Sequence, residues 1–282
     1  MISACIKVSV SNKMDEAKEL FRRTVKKFKK RKIITRGIDD LWAADLLVLR
    51  QYSRKNKGYK YILTVIDTFS KYLFLEPLKT KTGKEVTEAF KKIIKQSKRE
   101  PNLLHVDKGK EFVNKDFKKM LEKKHIIMYH TENAEKSAIA ERANRTINEK
   151  LKLYFHIQKN YEWISLLKHI TDEYNNKDIH RTIGMPPAKV NKKNEDEIYC
   201  RMYNLNSFKL EKPKFKIGDI VRITINKGIF DSKYTRNWTR EKFVITKVHY
   251  TDPITYSIKD ENGENVVGKF YKQELLLTRL PV

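Results

Sequence analysis

The sequence predicts an α/β fold, with a mixed five-stranded sheet flanked by helices, followed by a small all-β barrel. Three β-prone apolar runs follow one another between residues 41 and 78, and the pattern then alternates between helical and strand periods. After Pro213 the chain shows only short β-prone runs separated by Gly, Asp, Asn or Pro. The first pattern favours a mixed sheet covered by helices, and the second favours a closed barrel.

The elements of the sheet domain follow in order along the chain. The first three runs, 41–50, 59–69 and 71–78, are expected to form an antiparallel meander with a tight turn between the second and the third. Thr82 is expected to cap an amphipathic helix over 83–98. The remaining predicted elements are strands over 103–107 and 126–130 and helices over 114–123, about 134–157 and about 161–174.

The predicted barrel and its connections complete the organisation. Its strands are expected at 220–225, 242–248, 255–258 and 266–271. Residues 191–212 are polar and charged, which is typical of a linker. The predicted domains are a basic N-terminal arm over 1–36, a sheet domain over 37–190, a linker over 191–212 and a barrel over 213–282.

The charge of the chain favours a polyphosphate partner. The formal net charge is +26, from 61 Lys and Arg against 35 Asp and Glu, and 40% hydrophobic residues are enough for a packed core. Residues 1–36 carry 12 basic and three acidic side chains, and the basic run that includes Lys29, Lys30 and Arg31 is typical of a DNA-contacting arm or a nuclear import signal. A solvated, self-repelling tail is the alternative.

Cysteine content and hydropathy indicate the cellular compartment in which the protein is expected. Cys5 and Cys200 are far apart in sequence, so a reducing compartment is expected and a disulfide framework is not. No apolar stretch approaches the roughly 20 residues that span a bilayer, and the first ten residues lack the layout of a signal peptide. We therefore expect no membrane partner and, given the basic run, a nuclear location.

Three acidic residues occupy unusual positions. Asp45 interrupts an apolar strand, Asp107 ends another strand, and Glu141 lies within a long predicted helix. An ionised carboxylate in an apolar strand is costly unless it is paired or coordinated. In a mixed sheet of this order the first and fourth strands would lie side by side and parallel, so Asp45 and Asp107 would meet, and the helix that carries Glu141 would close the site.

The predicted helix adds basic and polar groups to the acids. Glu141, Arg145, Asn148 and Lys152 share one face, opposite an apolar stripe. Oxygen ligands suit Mg²⁺, and Mn²⁺ fits the same ligands. Two such ions about 4 Å apart are suited to phosphodiester chemistry, because they activate the nucleophile and stabilise the departing oxygen. The sequence therefore predicts a two-ion nuclease or polynucleotidyl transferase site.

Each acid taken alone has a simpler explanation. Asp45 would also fit a buried ion pair, Asp107 before Lys108 and Gly109 would fit a turn, and Glu141 would fit a solvated helix face. Asp67 and Glu111 are rival acids, and Asp67 is interpreted as a turn residue. Only the joint pattern favours a catalytic site.

At these residues the chain resembles retroviral-type integrases, and especially those of the Maverick/Polinton group of self-synthesising DNA transposons. The resemblance covers about residues 36 to 280 and rests on several motifs in order. They are TVIDTFSKY (64–72), HVDKGKEF (105–112), TENAEKSAIAERANRT (131–146), YNNKDIHRTIGMPPAKV (174–190), FKIGDIVRI (215–223) and VVGKFYKQEL (266–275).

The resemblance implies a ribonuclease H-like core with an Asp-Asp-Glu metal site and an SH3-like DNA-binding barrel. The implied triad is Asp45, Asp107 and Glu141, the last two 34 residues apart. Arg145 and Asn148 match positions that touch the DNA end in the family, and Lys108 would lie in the flexible catalytic loop. Integrases often begin with a His-His-Cys-Cys zinc domain, but no His precedes His105, so we expect no zinc site.

These observations lead to one leading hypothesis and two alternatives. The first is a DNA integrase, acting as a homo-oligomer on double-stranded element ends and target DNA, which trims 3′ ends and joins them to the target. The alternatives are a domesticated, catalytically silent DNA-binding protein and a ribonuclease H-like nuclease without joining activity. In the predicted barrel, cations interleaved with aromatics suit contact with the DNA backbone, and an exposed β-turn is the alternative; the cations are Lys233, Arg236 and Arg240.

Overall fold

The chain folds into two compact units. The computed structural model describes residues 13–31, 33–107, 109–130, 138–203, 211–225, 227 and 234–278, with only the backbone of Ala138. The core unit comprises Ile34–Asn206, and the terminal unit joins Met1–Ile33 with Ser207–Val282. Among the described residues, no helix combines the length and apolar character needed to cross a bilayer.

Helices and strands are numbered in chain order over the described residues. The helices are α1 (including 13–20), α2 (Gly83–Ser97), α3 (Lys115–Lys123), α4 (Ala138–Gln158), α5 (Leu167–Asn176) and α6 (Glu195–Tyr203). The strands are β1 (Leu41–Val48), β2 (Tyr61–Asp67), β3 (Leu73–Leu78), β4 (Leu103–Val106), β5 (Ile127–Tyr129), β6 (Ile220–Ile223), β7 (Phe243–His249), β8 (Thr255–Lys259), β9 (Phe270–Tyr271) and β10 (Leu275–Leu277).

The core unit is built on a mixed five-stranded sheet, as predicted. Its strand order is β3-β2-β1-β4-β5. The first three strands form the expected antiparallel meander, and β4 pairs parallel to both β1 and β5. Parallel neighbours require a crossover connection, which α2 supplies between β3 and β4 and α3 supplies between β4 and β5.

Alternation along β1 divides the sheet into two faces that are covered by different helices. Trp42 and Ala44 pack on one face with apolar residues of α2 and α3. Ala43 and Leu47 pack on the other face with apolar residues of α4 and α5. Successive strand side chains point to opposite faces, so Asp45, between Ala43 and Leu47, belongs to the face that α4 covers.

The second helix confirms its prediction. Thr82 caps α2, and its side chain accepts a hydrogen bond from the backbone N–H of Glu85 at 3.4 Å. The buried residues of α2 include Val86, Phe90 and Ile93, which follow the helical period on one face. The predicted helix α3 is also confirmed, and the side chain of Asn114 caps it in the same way.

Two stretches of the core unit differ from their predictions. The helix expected from about residue 161 begins only at Leu167. Before it, the chain forms i→i+3 turns, with the N–H of Leu166 bonded to the carbonyl oxygen of Trp163 at 3.1 Å, and the side chain of Asn56 accepts the N–H group of Trp163 at 2.7 Å. The expected linker over 191–212 contains α6. Ile198 and Met202, four residues apart on one face of α6, are buried in an apolar cluster, which explains why this charged stretch is ordered as a helix.

The terminal unit carries a second five-stranded sheet, in the order β10-β6-β7-β8-β9, with every pairing antiparallel. Strands β6, β7, β8 and β9 lie inside the predicted runs or extend beyond them by a residue or two. Strand β10 was not predicted, because three residues are too few to show a period. One face of the sheet packs around Val221, Ile245, Tyr256 and Ile258. The pairings describe a sheet, and its closure into an SH3-like barrel stays a prediction.

Candidate active site

Asp45 and Asp107 occupy matching positions on adjacent parallel strands. The register of β1 and β4 pairs Ala43 with His105 and Ala44 with Val106. Asp45 directly follows Ala44, and Asp107 directly follows Val106, so each acid is the next residue beyond the last paired position. Neighbouring strands are about 4.8 Å apart. The sheet therefore brings together two residues that are far apart in sequence.

The carboxylate of Asp45 is held by two hydrogen bonds. Its Oδ1 accepts the backbone N–H of Leu46 at 2.8 Å, and its Oδ2 accepts Nδ2 of Asn144 at 2.8 Å. Asn144 is only 9% exposed and projects from α4. The hydrogen bond from Asn144 therefore fixes the position of α4 relative to β1 at the candidate site.

The long helix α4 positions the third acid. Ala140, Ala143 and Ile147 are buried against the sheet and fix the rotation of the helix about its axis. Glu141 lies in the first turn of α4, three residues before Asn144, and its side chain is exposed. Residues three apart on a helix are neighbours on its surface, so Glu141 lies beside the side chain that contacts Asp45.

Burial and the charges of the two other acids act on Asp45. Burial raises the pKa of Asp45 above its ordinary value, and the negative charges of Asp107 and Glu141 raise it further. The hydrogen bonds from Leu46 and Asn144 act in the opposite direction. Each neighbouring carboxylate makes ionisation of Asp45 less favourable. A divalent cation would relieve this repulsion.

The donor set fits a hard divalent cation, although the side chains are not arranged around one. Among the described residues, no three acidic, imidazole or thiol side chains are placed so that they could bind a single ion. The exposed Glu141 would have to turn toward the two aspartates. Asn144 Oδ1 is buried without a hydrogen-bond partner in the described part of the chain, so one more oxygen ligand or acceptor lies beside Asp45. Carboxylate and amide oxygens are the ligands that Mg²⁺ and Mn²⁺ prefer.

The other predicted site residues are distributed over both units. On α4, Arg145 and Lys152 are exposed and Asn148 is half-buried. In the terminal unit, Arg236 is half-buried, and the exposed cations are Lys29, Lys30, Arg31 and Arg240. Lys108 and Lys233 lie outside the described residues, as does the stretch 131–137 before α4.

The rival acid Asp67 has a structural role. Its fully buried carboxylate accepts Ser70 Oγ at 2.5 Å and forms an ion pair with Arg99 at 2.6 Å. Arg99 also pairs with Asp39 at 2.7 Å. Asp67 opens the turn between β2 and β3, where its backbone N–H donates to the carbonyl oxygen of Tyr72 at 2.9 Å. The ion pair and the turn together account for Asp67 without a metal.

Asn144 is the residue that the sequence reasoning missed. Asparagine is a weak helix former, and here it occupies a buried position in the middle of an otherwise regular helix. A polar, poorly helix-forming side chain three residues after a candidate ligand is a usable signal. The nearby charged residues Arg142 and Arg145 obscured this signal, because they make the stretch resemble a solvated helix face.

The chain is similar to transposon-derived and retrovirus-related proteins. Residues 37–135 match the family model described as the integrase core domain. A transposon-derived protein of Caenorhabditis elegans is 32% identical over 228 residues, which cover 81% of this chain and 76% of that protein. The retrovirus-related Pol polyprotein from transposon 297 of Drosophila melanogaster is 29% identical over 228 residues, which cover 79% of this chain and 20% of the polyprotein.

A solved structure supports the same fold. A chain of the simian T-cell lymphotropic virus intasome, in complex with PP2A regulatory subunit B56 gamma, aligns with 93% of this chain and 87% of its own length. The TM-score is 0.63 and the sequence identity is 15%, so this likeness concerns the fold alone. With the family match, it establishes the ribonuclease H-like integrase core fold, with its mixed five-stranded sheet flanked by helices.

Proposed function

Because the chain belongs to the integrase core domain family, we propose that it is a DNA integrase that processes 3′ ends of element DNA and transfers them into target DNA in a metal-dependent reaction. The observation that carries this proposal is the pairing of β1 with β4, which brings Asp45 and Asp107 together. The position of Glu141 on α4, within electrostatic reach of Asp45, supports it.

The proposed chemistry assigns a role to each residue of the site. Divalent cations, when bound, would activate the attacking oxygen and neutralise charge on the leaving oxygen. Asp45 and Asp107 would hold them from the sheet, and Glu141 would complete the site from α4. Asn144 is a positioning residue, because it orients the Asp45 carboxylate and leaves the other carboxylate oxygen to the backbone N–H of Leu46.

The finer assignments belong to the same proposal. The sequence motifs favour the Maverick/Polinton group, an SH3-like closure of the second sheet and a nuclear location. We also propose that the enzyme works as a homo-oligomer on double-stranded DNA. The exposed cations on α4, Arg145 and Lys152, follow Glu141 by four and eleven residues, and Asn148 lies between them. Arg145, about one turn beyond Glu141, suits binding of the phosphates next to the reacting bond, and Lys152, about three turns beyond it, suits phosphates farther along the duplex.

An end-joining assay tests the proposal. The purified protein is incubated with Mg²⁺ or Mn²⁺ and labelled duplexes that carry the ends of the element encoding it. We expect shortened strands and strands joined to target DNA. Asp45→Asn and Asp107→Asn should each abolish both products, because each removes one carboxylate from the proposed metal site. Asp172→Asn is a matched control, since this exposed acid lies on α5, which packs against the edge strand β3, and β2 separates β3 from β1.

One observation favours a second candidate, a domesticated and catalytically silent DNA-binding protein. In the described part of the chain the acids do not surround a common metal position. Salt-sensitive DNA binding without any shortened or joined product in either metal would support that candidate. Products that are shortened but never joined would instead indicate a nuclease without strand-transfer activity.

A further inference from the structure

A threonine lies directly opposite Asp45 on the neighbouring strand. The register of β1 and β2 pairs Asp45 with Thr64. Directly opposed residues of an antiparallel pair point to the same face of the sheet, with Cβ atoms about 4.5–5.5 Å apart. Thr64 therefore lies on the face that α4 covers, next to the carboxylate of the candidate site, and its side chain is fully buried.

The hydroxyl of Thr64 has no hydrogen-bond partner among the described residues. Strand β2 is paired on both sides, with β1 and β3, so the carbonyl oxygens around Thr64 belong to the two ladders. Buried polar groups are nearly always paired, and a buried donor without an acceptor costs stability. Valine has the same branched shape and would fill this position without that cost, so the hydroxyl itself indicates a function.

Asp45 is the natural acceptor for this hydroxyl. The side chains next to Thr64 on the same face are Ile62 and Ile66 along β2 and Leu75 across from it on β3. All three belong to the apolar cluster under α4. Among the described side chains at these adjacent positions, only that of Asp45 can accept a hydrogen bond.

The carboxylate of Asp45 has room for a further donor. An ionised carboxylate offers about four acceptor positions. The backbone N–H of Leu46 and the amide of Asn144 use one each, so the donors present come from β1 itself and from α4. Thr64 would add a donor from β2, at a Cβ separation that a threonine hydroxyl and an aspartate carboxylate can bridge.

The strand order places Thr64 and Asp107 on opposite sides of Asp45. Strand β1 lies between β2, which carries Thr64, and β4, which ends just before Asp107. A cation shared by the two aspartates would approach Asp45 from the β4 side, which leaves the β2 side to Thr64. Donors that contact a metal-binding carboxylate from behind orient it, and their loss weakens metal binding.

We propose that Thr64 is a positioning residue of the candidate active site, which donates its hydroxyl hydrogen to the Asp45 carboxylate when that carboxylate binds a divalent cation. This inference rests on the proposed function, because it takes Asp45 as a cation ligand. The hydroxyl would hold the carboxylate from the β2 side while the cation holds it from the β4 side. Thr64 thereby links the second strand of the sheet to cation binding.

The test compares two substitutions at this position in the full-length protein. Thr64→Val removes the hydroxyl and keeps the branched shape, whereas Thr64→Ser keeps the hydroxyl and removes a methyl group. Thr87→Val is the matched control, since Thr87 is also buried but lies on α2, across the sheet, and its hydroxyl donates to the carbonyl oxygen of Gly83 at 2.6 Å. Electron paramagnetic resonance of free Mn²⁺ gives the affinity, and thermal unfolding in EDTA gives the stability.

Affinity and stability should change in opposite directions in Thr64→Val. We expect this variant to bind Mn²⁺ at least about 10-fold more weakly than wild type. It should also unfold about 2–4 °C higher in EDTA, because a buried hydroxyl without an acceptor has been removed. Thr64→Ser should keep the Mn²⁺ affinity within about threefold of wild type and unfold at a lower temperature, because a buried methyl group is lost. Thr87→Val should keep the wild-type affinity.

The outcomes separate this inference from the proposed function. Equal Mn²⁺ affinity of Thr64→Val and wild type, an equal loss in Thr87→Val, or a Thr64→Val protein that is less stable in EDTA would each overturn the role of Thr64. Weaker Mn²⁺ binding by Thr64→Val, in a protein whose wild type yields no joined DNA, would overturn the proposed function and support the role of Thr64. A wild type that binds no Mn²⁺ would overturn both.

Discussion

Replacing Asp45 by asparagine should stabilise the metal-free protein while abolishing its activity. The folded protein buries the Asp45 carboxylate next to the strand end that carries Asp107 and within electrostatic reach of Glu141, and burial together with these charges raises its pKa. When folding raises the pKa of a carboxyl group, the folded protein loses stability as the pH rises from the unfolded-state pKa through the folded-state pKa. An amide at this position carries no charge, so this cost is absent at neutral pH.

The magnitude follows from the spacing of the strands. Carboxylates at adjacent positions on neighbouring strands lie roughly 5–6 Å apart, and their repulsion is about 3 kcal/mol at an effective dielectric constant of about 20 and below 1 kcal/mol in bulk water. The substitution also preserves the hydrogen bonds. The new amide oxygen accepts the N–H of Leu46, and Asn144 can rotate its amide so that its buried Oδ1 accepts the new N–H group.

The assay is thermal and urea unfolding in EDTA, compared with unfolding in Mg²⁺ or Mn²⁺. We expect Asp45→Asn to be about 1–3 kcal/mol more stable in EDTA, which is about 2–10 °C in midpoint for a unit of this size. The difference should shrink in acid, where the wild-type carboxyl is protonated. Metal should raise the midpoint of wild type and leave that of the variant unchanged. A variant that is less stable in EDTA, or that gains as much from metal as wild type, would refute the reasoning.

Three further predictions concern the surroundings of the site and the buried charges. Asn144→Ala should weaken Mn²⁺ binding by about 10- to 100-fold in a calorimetric titration, because Asp45 loses the donor that orients it; unchanged affinity would show that Asn144 does not act through Asp45. Arg99→Met should lower the free energy of unfolding by about 3–5 kcal/mol, since it leaves the fully buried carboxylate of Asp67 unpaired; a loss below 1 kcal/mol in urea unfolding would contradict this. Burial lowers the pKa of Lys71 from 10.5 to about 8. Between these two pH values the unfolded chain binds more protons than the folded protein, so the stability of wild type relative to Lys71→Met should rise with pH from about 8 to about 10. Parallel urea curves for the two proteins across that range would disprove the shift.

The sheet of the core unit could be predicted from the sequence because local and global signals agree. The three runs before residue 78 are separated by turn residues, so a meander was the simplest pairing, and it is confirmed. The sequence also predicts the parallel step from β1 to β4, which is one of two parallel pairings in this sheet, and it is confirmed. That step is what brings Asp45 and Asp107 together, although their positions as metal ligands stay a prediction.

Other features depend on contacts that no local pattern reveals. Residues 191–212 are polar enough for a linker, and α6 forms there because Ile198 and Met202 reach a buried cluster of the core unit. The segment that precedes α5 is held by Asn56, more than 100 residues earlier, whose side chain accepts the N–H of Trp163. The attachment of the N-terminal segment to the C-terminal sheet rests on pairs such as Glu19 and Arg222, and the basic composition of that segment predicted only a DNA-contacting arm or a solvated tail.

The central claim is that Asp45, Asp107 and Glu141 bind divalent cations together. The most direct measurement is anomalous diffraction from crystals soaked in Mn²⁺. We predict anomalous peaks within about 2.3 Å of oxygens from all three carboxylates, with the Glu141 side chain turned toward the sheet. A map with no peak between β1, β4 and α4, at a Mn²⁺ concentration that shifts the unfolding midpoint, would contradict the claim.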